Sequence, residues 1–212
     1  VGVNNSNAYQ VGSIATNTGQ KTVTVVWSTK SEISDRQTDI QVRVTAYDGT
    51  DAGTPQASAN FTLDDVAPTG LGSFAVGTPT ATTMPLTWTA VTEDSFNHYE
   101  VWYSTNQINV TTRISTEWDN DPDDAALATK TTTTTTITGL SVNTQYYFKI
   151  WAVDNLGNEV TVSDINAYTD ANVPSAPTVN TPTTSTLALG INTNSNPADT
   201  TFAIQETGGS QY

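Results

Sequence analysis

The sequence predicts an all-β protein of tandem sandwiches with no substantial helix, and three observations predict it. Apolar and polar residues alternate at period two in segment after segment, while no segment sustains a 3.6-residue apolar period. Thr, whose branched β-carbon favours strands, makes up about a fifth of the chain. The strand pattern also recurs at a spacing near 100 residues, so 212 residues hold more than one copy of the same unit.

Taken in order, Val23, Val25 and Trp27 share one face of Lys21–Trp27, and polar Ser28–Asp39 fits a short helical turn. Ile40, Val42, Val44 and Ala46 then point one way and Gln41, Arg43, Thr45 and Tyr47 the other, and Ala59, Phe61 and Leu63 repeat the pattern. These read as half-buried antiparallel strands. Asp64-Asp65-Val66-Ala67-Pro68 ends the series as a linker. A second series runs through Met84, Leu86 and Trp88; Tyr99, Val101 and Tyr103; the Thr131–Thr136 run ending in Ile137; Tyr146, Phe148, Ile150 and Ala152; and Val160 and Val162. Asp170–Pro174 is a second linker, after which Leu187, Leu189 and Ile191, then Phe202 and Ile204, open a third series.

Direct comparison shows the repeat. Arg43-Val44-Thr45-Ala46-Tyr47-Asp48 returns as Lys149-Ile150-Trp151-Ala152-Val153-Asp154, at a spacing of 106. Gly77-Thr78-Pro79-Thr80 leads into Met84, Leu86 and Trp88, and Asn180-Thr181-Pro182-Thr183 leads into Leu187, Leu189 and Ile191, at a spacing of 103. The expected organisation is a sandwich lacking its opening strands at 1–67, a complete one at 68–170, and the opening strands of a further one at 171–212.

Composition removes several function classes. Seven Lys and Arg against 21 Asp and Glu give a net charge of −14, which opposes binding to nucleic acid or anionic lipid. No apolar run reaches the roughly 20 residues of a membrane-spanning helix, and no signal-peptide pattern stands at Val1. Cys is absent, so disulfides, iron–sulfur clusters and thiol catalysis are excluded, and the single histidine, His98, removes multi-His metal sites.

The middle series carries a resemblance. Pro68, Trp88, Tyr99-x-Val101-x-Tyr103 and Ile137-x-Gly139-Leu140-x-x-Asn143-Thr144-x-Tyr146-x-Phe148-x-Ile150-x-Ala152-x-Asp154 together resemble a fibronectin type III domain. The resemblance implies a core of Trp88, Tyr99, Val101, Tyr103, Leu140, Tyr146, Phe148 and Ile150. It also implies that Tyr146 is the tyrosine corner, its hydroxyl bonded to backbone upstream. Residues 1–67 resemble the Ig-like repeats that precede such modules in bacterial or archaeal surface proteins, and 171–212 the opening of another fibronectin type III module. The Arg-Gly-Asp loop of some animal members is absent; the corresponding turn reads Asp154-Asn155-Leu156-Gly157-Asn158.

The residues support no catalytic site and no organic cofactor. His98 reads as a strand-edge histidine, since no nucleophile-elbow or phosphate-cradling motif accompanies it. Asp119, Asp121, Asp123 and Asp124 fall in Asp-Asn-Asp-Pro-Asp-Asp, and alternate acidic oxygens suit Ca²⁺. By the implied topology Asp64, Asp65, Glu93, Asp94 and Asp154 gather at the same pole, so these carboxylates form a candidate calcium set. Trp102, Trp118 and Trp151 fall outside the inferred core register and invite a glycan-stacking reading, with a cross-strand pair of Trp102 and Trp151 or packing against a neighbouring module as the alternatives. Asn4, Asn60 and Asn109 stand in Asn-x-Ser/Thr triplets.

The function expected on these grounds is a non-enzymatic spacer segment of an extracellular surface, adhesin or filament protein, with neighbouring modules or copies as partners. The alternatives are an accessory module of a polysaccharide-degrading enzyme and a phage tail-fibre segment.

Overall fold

The computed structural model describes Thr29, residues 35–46 and residues 49–205. The expected Lys21–Trp27 strand lies outside the described residues, as do Tyr47, Asp48 and most of the polar stretch from Ser28 to Ser34. The chain divides into two compact units, one of residues 1–67 with Leu156–Asn158 and one of Pro68–Asn155 with Glu159–Tyr212.

In the first unit, β1 (Gln37–Ile40) pairs antiparallel with β4 (Phe61–Leu63), and β2 (Arg43–Val44) with β3 (Gln56–Ala57). Gln37–Asp39, expected within a helical turn, is thus strand. The single strand expected from Ile40 onward is broken, because Val42 leaves the ladder. Its amide donates to Ser58 Oγ at 3.1 Å and its carbonyl accepts from Ser58 N at 2.8 Å. Val42 and Val44 are 57% and 69% exposed, so among the described residues the apolar face read from the alternation is not covered.

The second unit holds a two-sheet sandwich. β5 (Gly72–Val76), β6 (Met84–Thr89) and β9 (Thr134–Ile137) form one sheet in the order β5-β6-β9. The other runs β11-β10-β7-β8, from β7 (Phe96–Ser104), β8 (Thr116–Trp118), β10 (Gln145–Asp154) and β11 (Glu159–Thr161), with β12 (Ile165–Tyr168) also paired to β10. Alternation turns Met84, Leu86 and Trp88 inward from one sheet and Tyr99, Val101, Phe148, Ile150 and Ala152 from the other, and all are buried. Leu140 is buried with them, while Tyr103 and Tyr146 are partly buried and pack against the cluster. The fold is all-β. Among the described residues the one short α-helix, α1 (Gln107–Thr111), is capped by Asn106, whose side-chain oxygen accepts from Ile108 N at 3.0 Å.

The Thr run enters the sheet late. A 3-10 turn at Ala125–Ala128 holds its first residues, with Thr132 N donating to Thr129 O at 3.0 Å and Thr132 Oγ1 to Ala126 O at 2.6 Å, so the strand starts at Thr134. Gly139, at φ 74°, makes the left-handed turn that ends it. Beyond the second linker, β13 (Thr178–Val179) pairs with β14 (Leu189–Gly190). Phe202–Ile204 forms no strand.

Candidate functional site

At one end of the sandwich, the loop after β6 and the end of β10 each bury a carboxylate, Glu93 and Asp154. An oxygen of each lies within 4.8 Å of the other. Glu93 Oε1 accepts from Ser95 N at 2.7 Å, and Lys130 Nζ donates to the Glu93 carbonyl. Asp94, one residue on, is exposed. Asp64 and Asp65 belong to the first unit. There Asp64 is buried, its Oδ2 3.3 Å from Arg36 Nε and its Oδ1 accepting from Val66 N at 3.2 Å.

In the Asp119–Asp124 loop, carboxylates of Asp119, Asp123 and Asp124 accept from the chain that carries them. Asp119 Oδ1 accepts from Asp121 N at 2.8 Å, and Asp123 Oδ2 from Asp119 N at 3.3 Å. Asp124 caps the 3-10 turn by accepting from Ala126 N at 3.1 Å, and its other oxygen accepts from Thr135 Oγ1 at 2.6 Å. Short acidic side chains beside their own amides take these bonds readily. The loop and the Glu93–Asp154 pair do not form one ligand set among the described residues.

The outer face of the larger sheet carries a charged cluster that sequence reasoning missed. Arg113, following α1, reaches Glu100 Oε1 at 3.1 Å and Glu159 Oε2 at 2.7 Å, and its guanidinium sits 4.3 Å from the Trp151 ring centroid. Lys149 Nζ lies 5.3 Å from the same ring. His98 Nε2 is 3.8 Å from Glu100 Oε2. Burial works against the charge on Glu100, but hydrogen bonds from His98 and Glu117 and the charge of Arg113 outweigh it and hold its carboxyl below the usual range. Glu117 goes the other way. Partial burial, the hydrogen bond to Glu100 and the charges of Glu100 and Asp119 push it up to about 7. The hydrogen bond to Glu100 raises His98.

The indoles do not form a sugar platform. Trp151 is only 5% exposed, covered by Arg113 and Lys149. Trp118 is opposite Val101 in the β7–β8 register and faces the core, its Nε1 donating to Thr135 Oγ1 at 3.0 Å. Trp102 stands directly opposite Lys149 and Trp151 opposite Glu100, so the two indoles are diagonal neighbours rather than a directly facing pair.

Two tyrosines tie loops to the core. Tyr146 OH accepts from Ser141 N at 3.0 Å. Tyr99 OH, fully buried, accepts from Val91 N at 2.9 Å and donates to Lys130 O at 2.8 Å. The first is the bond a tyrosine corner makes, from a strand back to the loop five residues upstream. The Fibronectin type III domain family model matches residues 66–167. That segment is a fibronectin type III domain. Domains of this family are generally non-catalytic modules, typical of extracellular proteins and often found in multi-domain arrays. No curated protein matches the chain.

Among solved structures, the chain is similar to the FN1-FN3 domains of chicken CNTN1, at 18% identity and TM-score 0.40, covering 61% of this chain and 42% of that one. It is similar to the chitinase ChiA74 from Bacillus thuringiensis at 24% identity and TM-score 0.39, covering 55% of this chain and 15% of that one. It is also similar to the fn3 domain of human contactin 1, at 17% identity and TM-score 0.41, covering 53% of this chain and 87% of that one. The chain thus spans less than half the length of the first two. No helix among the described residues is long and apolar enough to cross a membrane.

Proposed function

We propose that the chain is a non-enzymatic spacer segment of an extracellular surface, adhesin or filament protein, in which fibronectin-type sandwiches follow one another along the polypeptide. One observation carries the reading: the hairpin after the second linker repeats, bond for bond, the hairpin that opens the middle domain. Gly77 N donates to Pro85 O at 2.8 Å, and 103 residues later Asn180 N donates to Ala188 O at 3.0 Å. Thr80 N donates to Thr83 O at 3.1 Å, and Thr183 N to Thr186 O at 3.0 Å. The paired hydroxyls stand 2.7 Å apart in Thr80–Thr83 and 2.6 Å apart in Thr183–Thr186. Met84 and Trp88 are 0% and 4% exposed under the second sheet, whereas their counterparts Leu187 and Ile191 are 57% and 41% exposed. This favours a hairpin that begins a further sandwich of the same kind, and supports the division at 68–170 and 171–212.

Pulling the full chain from its two ends tests the reading. The middle domain should resist and then give way in one step, releasing on the order of 300 Å from about 100 residues. Gradual extension without a step, or retention of the chain on chitin or cellulose, would overturn it in favour of an accessory carbohydrate-binding module.

A second property has its own support. Two buried carboxylates, Glu93 and Asp154, bring an oxygen each within 4.8 Å of one another, an arrangement that a cation between them would screen. Hard oxygen donors of this type suit Ca²⁺ as a structural ion at that end of the sandwich.

A further inference from the structure

The second linker is bonded along its length. Thr169 N donates to Thr144 O, Asp170 N to Thr80 O and Asn143 N to Asp170 O, each at 3.0 Å, which fastens the start of the linker to the sandwich. Its far side is fastened by amides alone. Asn172 N donates to Asn196 Oδ1 at 2.7 Å, and Asn196 Nδ2 returns a bond to Asn172 O at 2.8 Å. Asn172 Nδ2 donates to Asn194 O at 3.0 Å, and Asn194 Nδ2 to Val173 O at 2.8 Å. Asn194 adopts φ 50°, a left-handed conformation that Asn tolerates better than most residues and that aims its side chain back at the linker. Asn196 is only 8% exposed. A last amide closes the joint from the sandwich side, with Asn143 Nδ2 donating to Thr200 Oγ1 at 2.8 Å. None of these bonds uses a charged side chain. At the offset of 103 Asn196 corresponds to Glu93, so one buried loop position carries a carboxylate in the middle domain and an amide here.

We infer that Asn172, Asn194 and Asn196 form a fixed-angle joint that holds the β13–β14 hairpin in one orientation against the end of the fibronectin type III domain, independently of salt. One reciprocal pair, Asn172 with Asn196, and two further amide bonds, Asn172 Nδ2 to Asn194 O and Asn194 Nδ2 to Val173 O, constrain bend and twist together, where one bond would act as a swivel. Pro174 follows at once and limits the backbone on its other side. The joint deepens the spacer reading and rests on it for its purpose: a spacer transmits direction only if its linkers do not rotate freely.

The chain has no Cys, so two spin labels can be placed cleanly, with Ser163→Cys beside the sandwich and Ser185→Cys in the hairpin turn. Both residues are exposed. Pulsed electron–electron distance measurement on the full chain should give one narrow distribution, the same in dilute buffer and in molar NaCl. Asn196→Ala should at least double its width. Asn196→Asp keeps the acceptor for Asn172 N but loses the donor to Asn172 O, and should fall between. Tryptophan fluorescence checks that the sandwich stays folded in each variant. A wild-type distribution as broad as that of Asn196→Ala, or one that broadens with salt, would overturn the joint. So would Asn196→Ala leaving the width unchanged. None of these results bears on the pulling and polysaccharide experiments, so a failed joint and a failed spacer reading can be told apart.

Discussion

Tyr99→Phe and Tyr146→Phe remove the same atom from the same domain, and the structure ranks their costs. Tyr146 OH accepts one bond, from Ser141 N, and Ser141 is exposed, so water replaces the lost partner. That change costs about 0.5–1.5 kcal/mol, the net worth of an ordinary hydrogen bond. Tyr99 OH makes two bonds, accepting from Val91 N and donating to Lys130 O, and Tyr99 and Val91 are buried while Lys130 is half-buried. Tyr99→Phe strands a buried amide and a carbonyl together. An unsatisfied buried group costs roughly 1–3 kcal/mol, so about 2–4 kcal/mol is expected. Phe keeps the ring contacts with Trp88 and Phe96, whose centroids lie 5.3 Å and 4.8 Å away, so packing loss does not confuse the comparison. The assay is urea unfolding followed by tryptophan fluorescence. For a slope of roughly 2 kcal/mol/M the Tyr99→Phe midpoint should fall by about 1–2 M, with the slope unchanged. A Tyr146→Phe loss equal to or larger than that of Tyr99→Phe would refute the argument from solvent access.

Two further outcomes are expected. Glu117 is raised from 4.5 to about 7 in the folded chain, so across that window the folded state keeps a proton that the unfolded state releases, and stability falls as pH rises through it. His98, also raised, adds a loss in the same direction above its unfolded value of 6.5. Glu117→Gln should flatten the fall between pH 5 and 7, by about 1 kcal/mol or less because the group is largely exposed, and equal pH slopes in the two proteins would show that Glu117 is not raised in the folded chain. Millimolar Ca²⁺ should raise the melting temperature by linkage, and Glu93→Gln with Asp154→Asn should abolish the rise. Identical melting curves in calcium and in chelator would remove the ion from that end of the sandwich.

What was legible in the sequence is what period-two alternation and short spacings encode. Trp88, Phe148 and Ile150 sit at the inward positions that alternation assigns, and the Tyr146–Ser141 bond spans only five residues. The second bond of Tyr99 goes to Lys130, 31 residues away, and depends on where a 3-10 turn deposits that carbonyl. Trp118 was misread because its face follows from pairing with Val101, which the segment Thr116–Trp118 is too short to reveal by its own alternation. Glu100 alternates outward with Trp102, yet it is buried, because α1 and Arg113 fold back over the outer face. The signs of that strap were Asn106 at a helix N-cap position and Val110 amid polar residues, and Val110 is fully buried. The Asp119–Asp124 loop looked like a ligand set because spacing shows which oxygens are near one another but not which amides are nearer.

The neutral bonds explain how so acidic a chain keeps its geometry. At a net charge of −14, long-range repulsion favours extension and shifts with ionic strength, with a Debye length of about 10 Å at 0.1 M salt. A joint built from ion pairs would stiffen and soften with the medium, and exposed pairs contribute roughly 0–1 kcal/mol. The two hairpin turns and the second linker rely instead on hydroxyls and amides: Thr80 with Thr83, Thr183 with Thr186, and Asn172 with Asn196. Such bonds are short-ranged and unscreened, so repulsion sets how far neighbouring chains stay apart while neutral contacts set the local angle. The charged cluster around Glu100 lies instead on the outer face of a sheet whose packing comes from the core beneath it. There a change in protonation alters how firmly the α1 strap is held, and the sandwich does not depend on it for its shape.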